Sequence, residues 1–282
     1  MFKFYVLWSR NVGLLHRATF DLPREKTVVI INTLDHEDED AGVSFCKEHN
    51  IEYHVTESDG TPATGKNSLL EKFLESDNEY MVAIDGDDRL TPHGVYLYQE
   101  LAKHPFAPDI VCLYRQLNES NETPFDKSQT RIKRDLLMHM FTNHKHYNKS
   151  QEVAERWTNK RLEFDDFMYK HMEDGEFMCR LVFHSRYAAS IMKYNNEIYV
   201  GEDTVQFLKL KKLAMNGKIN MLRRKERENP TYIYNNNNLE SIMRSRFLFD
   251  WSWTEPLLEI IYKEQDLPKN VRLTEFKDSD WV

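Results

Sequence analysis

Short apolar runs alternate with segments of helical spacing through the first 114 residues. Phe4 to Trp8, Thr27 to Asn32, Ile51 to Val55 and Tyr80 to Ile84 read as strands. Between the last three lie two helical patterns. Ala41, Phe45 and Cys46 recur on one face after the acidic start Asp38-Glu39-Asp40, and Leu69, Leu70, Phe73 and Leu74 do so in the second. This order predicts βα units around a mostly parallel sheet, with both helices on one of its faces. The run Glu37 to Asp40 needs no ligand, because acidic residues in a first helical turn are stabilised by the helix dipole.

The pattern changes after residue 114. Residues 115 to 165 are polar, with Asn118-Glu119-Ser120-Asn121-Glu122 followed by His139, His144 and His146 among lysines and arginines, and read as a partly helical insertion. These histidines lack carboxylates or cysteines at ligand spacing, so they read as surface residues rather than a metal site. Order resumes with an apolar strand from Met178 to Phe183, then Tyr187 to Lys193 and Glu197 to Val200, and a helix starting near Asp203 with Val205, Phe207, Leu208 and Leu210 apolar. From Leu239 onward, Ile242, Phe247, Phe249, Trp251, Trp253, Leu257 and Ile261 predict a helical tail packed on the rest. The organisation expected is one domain over 1–240, with halves 1–114 and 166–240 around the insertion 115–165, and an extension over 241–282.

The 282 residues are 40% hydrophobic, enough for a sizeable core. No apolar run approaches the ~18 to 20 residues of a membrane span, and Met1 to Leu7 reads as a strand rather than a signal peptide, so a cytoplasmic protein is expected. Cys46, Cys112 and Cys179 are few and far apart, which fits buried reduced thiols. The net charge of −8 divides unevenly: residues 35 to 88 are acidic, while 127 to 161 and 209 to 227 are basic. Either basic segment would face an anion or simply water.

Candidate chemistry concentrates in two acidic segments. Met81-Val82-Ala83-Ile84-Asp85-Gly86-Asp87-Asp88 is an apolar strand ending in three carboxylates. At the carboxyl end of a strand in an open α/β sheet such a group lies where ligands bind, and its hard oxygens suit Mg²⁺ or Mn²⁺ bridging a diphosphate. An acidic turn at Gly86 is the alternative. The second segment, Tyr199-Val200-Gly201-Glu202-Asp203-Thr204, puts adjacent carboxylates at a helix start 116 residues after Asp87. Either Glu202 or Asp203 would cap that helix or serve as a general base.

In this order the motifs resemble those of GT-A glycosyltransferases of the family 2-like group, with their DXD and ED motifs. The match runs over residues 3 to 240 through Gly65-Lys66-Asn67-Ser68-Leu69, Asp85-Gly86-Asp87-Asp88, Phe183-His184-Ser185-Arg186, Gly201-Glu202-Asp203, Tyr232-Ile233-Tyr234 and Ser241-Ile242. The resemblance implies an α/β fold, a Rossmann-like mixed sheet flanked by helices that binds a nucleotide sugar, with the helical extension following. It implies Mn²⁺ or Mg²⁺ as cofactor, with Asp87, Asp85 and Asp88 toward the metal. Asp85 and Gly86, together with Thr33, Asp35, Lys66 and Asn67, would bind the nucleotide sugar, a UDP-sugar, with Asp35 near the base. Asp203 would be the catalytic base, with Glu202 next in line. Two departures stand out. Trp8-Ser9-Arg10-Asn11 replaces the usual Pro-containing turn, and Met243-Arg244-Ser245-Arg246-Phe247 stands where processive members carry QXXRW, which favours transfer of a single sugar.

Two questions stay open at this level. Gly60-Thr61-Pro62-Ala63-Thr64-Gly65-Lys66-Asn67 nearly fits GxxxxGK[ST], so a P-loop phosphotransferase using Asp85 is a rival, although Asn67 replaces the hydroxyl that would hold Mg²⁺. The acceptor is a glycan, a lipid-linked glycan, or hydroxymethylated bases in DNA. The last choice rests on the basic residues of 209–227 that follow the proposed base, Lys209, Lys211, Lys212, Lys218, Arg223, Arg224, Lys225 and Arg227, with Arg223, Arg224 and Lys225 as a phosphate-binding patch.

Overall fold

The structure, a computed structural model, describes residues 1–114, 117–118, 134–143, 148–171, 179–226, 229–235, 257–259 and 273–281. Strands β1 (Phe2–Trp8), β2 (Thr27–Ile31), β3 (Glu52–Val55) and β4 (Tyr80–Asp85) form where the apolar runs predict them. They are interleaved with α1 (Val12–Thr19), α2 (His36–His49) and α3 (Pro62–Glu75). Then come β5 (Arg89–Leu90), α4 (Pro92–Leu101), β6 (Ile110–Tyr114), β7 (Leu117–Asn118), α5 (Arg134–Asn143) and α6 (Gln151–His171). The chain continues with β8 (Arg180–Ser185), α7 (Arg186–Ile191), α8 (Glu202–Met215), β9 (Met221–Lys225), β10 (Tyr232–Tyr234) and β11 (Thr274–Glu275).

Eight strands form one sheet in the order β11-β9-β6-β8-β4-β1-β2-β3, and β5-β10-β7 form a small second sheet. The large sheet is parallel apart from β8, which runs antiparallel to both β4 and β6. All five residues of β2 and of β6 are buried, as expected of strands covered on both faces. Successive side chains alternate between two cores: Tyr5, Val28, Ile30 and Met81 on one side, Phe4, Val29, Ile31 and Val82 on the other.

Here the expectation that the two early helices share one face is corrected. Phe45 of α2 joins the core that holds Phe4, whereas Leu70 and Phe73 of α3 join the opposite one. The cause is handedness. The chain moves outward from β1 to β2 to β3, then returns across β1 to β4, and right-handed crossovers in opposite directions place their helices on opposite faces. That reversal between β1 and β4 opens a crevice at the carboxyl ends of both strands.

The segment 115–165 is partly helical, as its sequence predicts. Leu137 and Phe141 of α5 meet Ala154 and Trp157 of α6 inside the main core, with the Phe141 and Trp157 rings edge-on at 5.5 Å. His139 is exposed, while His144 and His146 lie outside the described residues. The tail departs from the purely helical expectation. Leu257 and Leu258 are buried in a helical turn, but β11 adds a parallel edge strand to β9 and is followed by a 3₁₀ turn over Asp278–Asp280. A two-residue strand leaves no periodicity to read. Residues 236–256 and 260–272, including Met243 to Phe247, lie outside the described residues. Cys46, Cys112 and Cys179 are buried and form no disulfide. Among the described residues no helix is long and apolar enough to cross a membrane.

Candidate active site

The apolar residues of β4 anchor its end beside β1, so that Asp85 emerges at the crevice. Gly86 makes the turn. A Cβ there would stand 2.6 Å from the Leu7 carbonyl oxygen and 2.8 Å from the Trp8 Cα, so only glycine lets the acidic loop lie this close to β1. The crevice widens into a cavity of about 630 Å³. Thr33 and Asp35 line it from the loop after β2, Gly65 from α3, Asp85, Gly86 and Asp87 from the end of β4, and Glu202 and Asp203 from the start of α8. Of the residues expected to bind a nucleotide sugar, Thr33, Asp35, Lys66, Asp85 and Gly86 are thus brought together. Asp35 also caps α2, accepting from the Glu37 amide at 2.8 Å.

Three expectations are corrected at this level. Asp88 turns away from the cleft and is fully buried, accepting hydrogen bonds from the Tyr232 hydroxyl and the Asn235 amide, both at 2.8 Å. It anchors the loop. Burial, reinforced by the neighbouring Asp87 charge, pushes its carboxyl well above the usual range. Asn67 also leaves the cleft: its amide donates to the Tyr194 carbonyl and to Asn196 Oδ1, both at 3.0 Å, and its oxygen accepts from the Tyr194 amide. Finally, neither Glu202 nor Asp203 caps α8. The cap is Gly201, at φ 89°, and the two acids occupy the first turn.

The acidic pair is tied to the rest by two cations. Lys66 Nζ lies 2.7 Å from Glu202 and 2.6 Å from Asp203. Arg180, the first residue of β8, pairs with Asp85 and lies 3.7 Å from Asp88 and 3.5 Å from Asp203. Burial would raise the Asp85 carboxyl, but Arg180 and Lys66 hold it below its ordinary value. Burial likewise opposes the charge on Lys66, and Asp203, Glu202 and Asp85 outweigh it, so its ammonium is held well above the usual range. Glu202 is pushed up by burial against the pull of Lys66. Arg180 escapes sequence reasoning because a single basic residue within the apolar run Met178 to Phe183 carries no motif. Its signal is indirect, an arginine opening the strand that pairs with the acidic one.

Among the described residues no group of three His, Cys, Asp or Glu side chains stands ready to hold a metal ion. Asp85 and Asp87 nonetheless present hard oxygens to the cleft, a set that suits Mg²⁺ or Mn²⁺ when substrate phosphates complete the shell.

The P-loop rival does not survive the geometry. Asp59 accepts the Thr61 amide at 2.8 Å and the Thr61 and Thr64 hydroxyls at 2.7 Å each, and Thr61 Oγ1 accepts the Thr64 amide. A carboxylate and a hydroxyl therefore take the donors a phosphate would need, and Lys66 points to Glu202 and Asp203. The basic patch is corrected as well. Arg223 and Arg224 are each 3% exposed. Arg224 pairs with Glu226 and, through Nε and Nη2, with both oxygens of Asp278 at 2.7 Å, while the Arg223 guanidinium lies 4.6 Å above the Tyr114 ring and 3.4 Å from Glu275. They tie β9 to the tail. Lys225 is half-buried at the end of β9, away from the cleft lining.

No protein-family model matches the sequence, and no curated protein matches it. Solved structures do match. S. aureus TarS 1–349 in complex with UDP-GlcNAc aligns over 94% of this chain and 68% of its own, at 13% identity and a TM-score of 0.52. The same TarS fragment in complex with UDP aligns over 83% of this chain at 12% identity and a TM-score of 0.48, and this chain spans 60% of its length. The mannosyltransferase PcManGT of Pyrobaculum calidifontis, in complex with GDP-Man and Mn²⁺, aligns over 83% of this chain and 56% of its own, at 10% identity and a TM-score of 0.44. With a largely parallel eight-stranded sheet between two layers of helices, the chain has the GT-A glycosyltransferase fold.

Proposed function

We propose that the chain is a glycosyltransferase that moves a single sugar from a nucleotide diphosphate, a UDP-sugar, to an acceptor hydroxyl, with Mg²⁺ or Mn²⁺ as cofactor. One observation carries this reading: Asp85-Gly86-Asp87 and Glu202-Asp203 line one cavity at the sheet's topological switch point. Thr33 and Asp35 offer hydroxyl and carboxylate oxygens where a nucleoside would lie. The charge balance bears on the metal. Six carboxylates line the cavity, from Asp35, Asp38, Asp85, Asp87, Glu202 and Asp203, against the three cations Arg10, Lys66 and Arg180, an excess of three negative charges. Such a wall weakens the hold on a diphosphate that binds without a cation.

A divalent ion held by Asp85 and Asp87 would offset this and carry the charge of the departing diphosphate. Asp203 takes the proton from the acceptor hydroxyl as its oxygen bonds to the anomeric carbon and the sugar–phosphate bond breaks. Lys66 holds Asp203 in place, and Glu202, the more buried of the two acids, holds Lys66. Tyr199 and Tyr234 line the same cavity and suit the apolar face of a sugar ring, so the acceptor proposed is a glycan or lipid-linked glycan. The DNA alternative loses Arg223 and Arg224, two of the cations on which it rested.

A thermal-shift comparison of UDP-, GDP-, CMP- and TDP-sugars with ATP, each with and without EDTA, tests this directly. A UDP-sugar should raise Tm clearly more with Mg²⁺ or Mn²⁺ than with EDTA. Stabilisation by ATP alone would overturn the reading.

A further inference from the structure

β8 is the one strand of the large sheet that runs against its neighbours, and this direction sets its first residue beside the last residue of β4. Arg180 and Asp85 therefore meet at the mouth of the crevice. The Arg180 side chain is 21% exposed, and its guanidinium also lies 5.3 Å from the Tyr234 ring, within reach of Asp88 and Asp203. It thus joins the first acidic segment to the second. The pair engages Oδ2, one of the two carboxylate oxygens that Asp85 offers at the Asp85-Gly86-Asp87 turn.

We propose that Arg180 sets the order of binding at the donor site, holding Asp85 until a nucleotide diphosphate arrives and then passing its guanidinium to the diphosphate oxygens. This rests on the reading of Asp85 and Asp87 as the carboxylates that would face a divalent ion. A planar guanidinium is well matched to either partner, since carboxylate and phosphate both accept its two parallel N–H groups. While Asp85 is paired, only the small fraction of molecules with the pair open can take the ion, and apparent affinity falls by that fraction. Phosphate oxygens relieve the pair from the arginine's side. Nucleotide and ion then favour each other by the same factor, as linkage requires.

Mn²⁺ titration followed by electron paramagnetic resonance, with and without UDP, tests the assignment without any turnover. The intact protein should hold Mn²⁺ weakly alone and more than about tenfold more tightly with UDP. In Arg180→Gln, Mn²⁺ alone should bind about tenfold more tightly than in the intact protein, and with UDP no more tightly, so that the UDP effect shrinks or vanishes. Mere removal of a positive charge would tighten Mn²⁺ equally in both conditions, and that result overturns the proposal. So does unchanged Mn²⁺ affinity in the variant without UDP. Arg180→Met keeps the apolar stem beside Tyr234 and serves with the same outcomes if the glutamine variant does not fold. If the intact protein holds no Mn²⁺ even with UDP, the metal reading fails as well. If it does so but the variants behave like it, only the role of Arg180 fails.

Discussion

Single side chains divide the proposed chemistry between them. Asp203 is the more open of the two acids in the first turn of α8, and Lys66 fixes its Oδ2 at 2.6 Å in the cavity lining. Asparagine at this position keeps the shape and loses the proton acceptor. Asp203→Asn should therefore lower kcat by about 10²-fold or more while UDP affinity stays within a few fold, as measured by steady-state kinetics and calorimetry. Loss of UDP binding in step with kcat would assign Asp203 to the donor rather than the acceptor. That Asp85, Asp87, Glu202 and Asp203 would meet in one cavity is legible, because carboxylates at a strand end and at a helix start need a reason to be there. Asp88 and Asn67 were not separable from them, since sequence shows proximity along the chain but not which way a loop turns its side chains.

Elements show the same division. The runs that became β1, β2 and β4 are apolar along nearly their whole length, which is what burial on both faces demands, and they could be read directly. Which face each helix takes, by contrast, follows from strand order, and that is not written in the spacing of Phe45 or Phe73. β11 was hidden by its length. Its connection to the body is charged: Asp278, after β11, binds Arg224 twice and also meets His93 Nε2 at 2.9 Å. Partial burial raises the Asp278 carboxyl, but Arg224 and His93 hold it below its ordinary value. A carboxyl depressed on folding contributes stability above its unfolded value of ~3.9, and this is lost as pH falls through the lower folded value. Asp278→Asn should lower stability by about 1 kcal/mol or more at pH 7 and by less at pH 3. Melting curves of both proteins across pH 3 to 7 decide this, and a constant gap would remove Asp278 from the acid response.

For the molecule as a whole, one group in the central strands governs behaviour nearer neutrality. His184 lies in β8 opposite Met81 and Ile110, 1% exposed, with Nε2 hydrogen-bonded to the Leu181 carbonyl at 2.9 Å. Burial pushes its imidazole down to about 3. Between ~6.5 and that value the unfolded chain binds the proton and the folded one does not, so stability rises with pH across this window. Urea unfolding from pH 8 to pH 5 should show loss beginning near pH 6.5, at up to about 1.4 kcal/mol per pH unit. His184→Leu should be flatter over the same range whatever its starting stability, and an identical slope would exonerate the histidine.

Synthesis runs from one edge of the sheet to the other in an uneven order. Four neighbouring strands, β4, β1, β2 and β3, lie within the first 85 residues and can pair early. At the opposite border β9 waits for residues 274 and 275, and Arg224 waits for Asp278. Until that stretch has left the ribosome, the growing chain presents an unpaired strand border and a buried cation without one of its counter-charges. Such a border can recruit a strand from another nascent copy. Expression yield should thus be sensitive to whatever delays or removes residues 273–281, far more than their small share of the core implies.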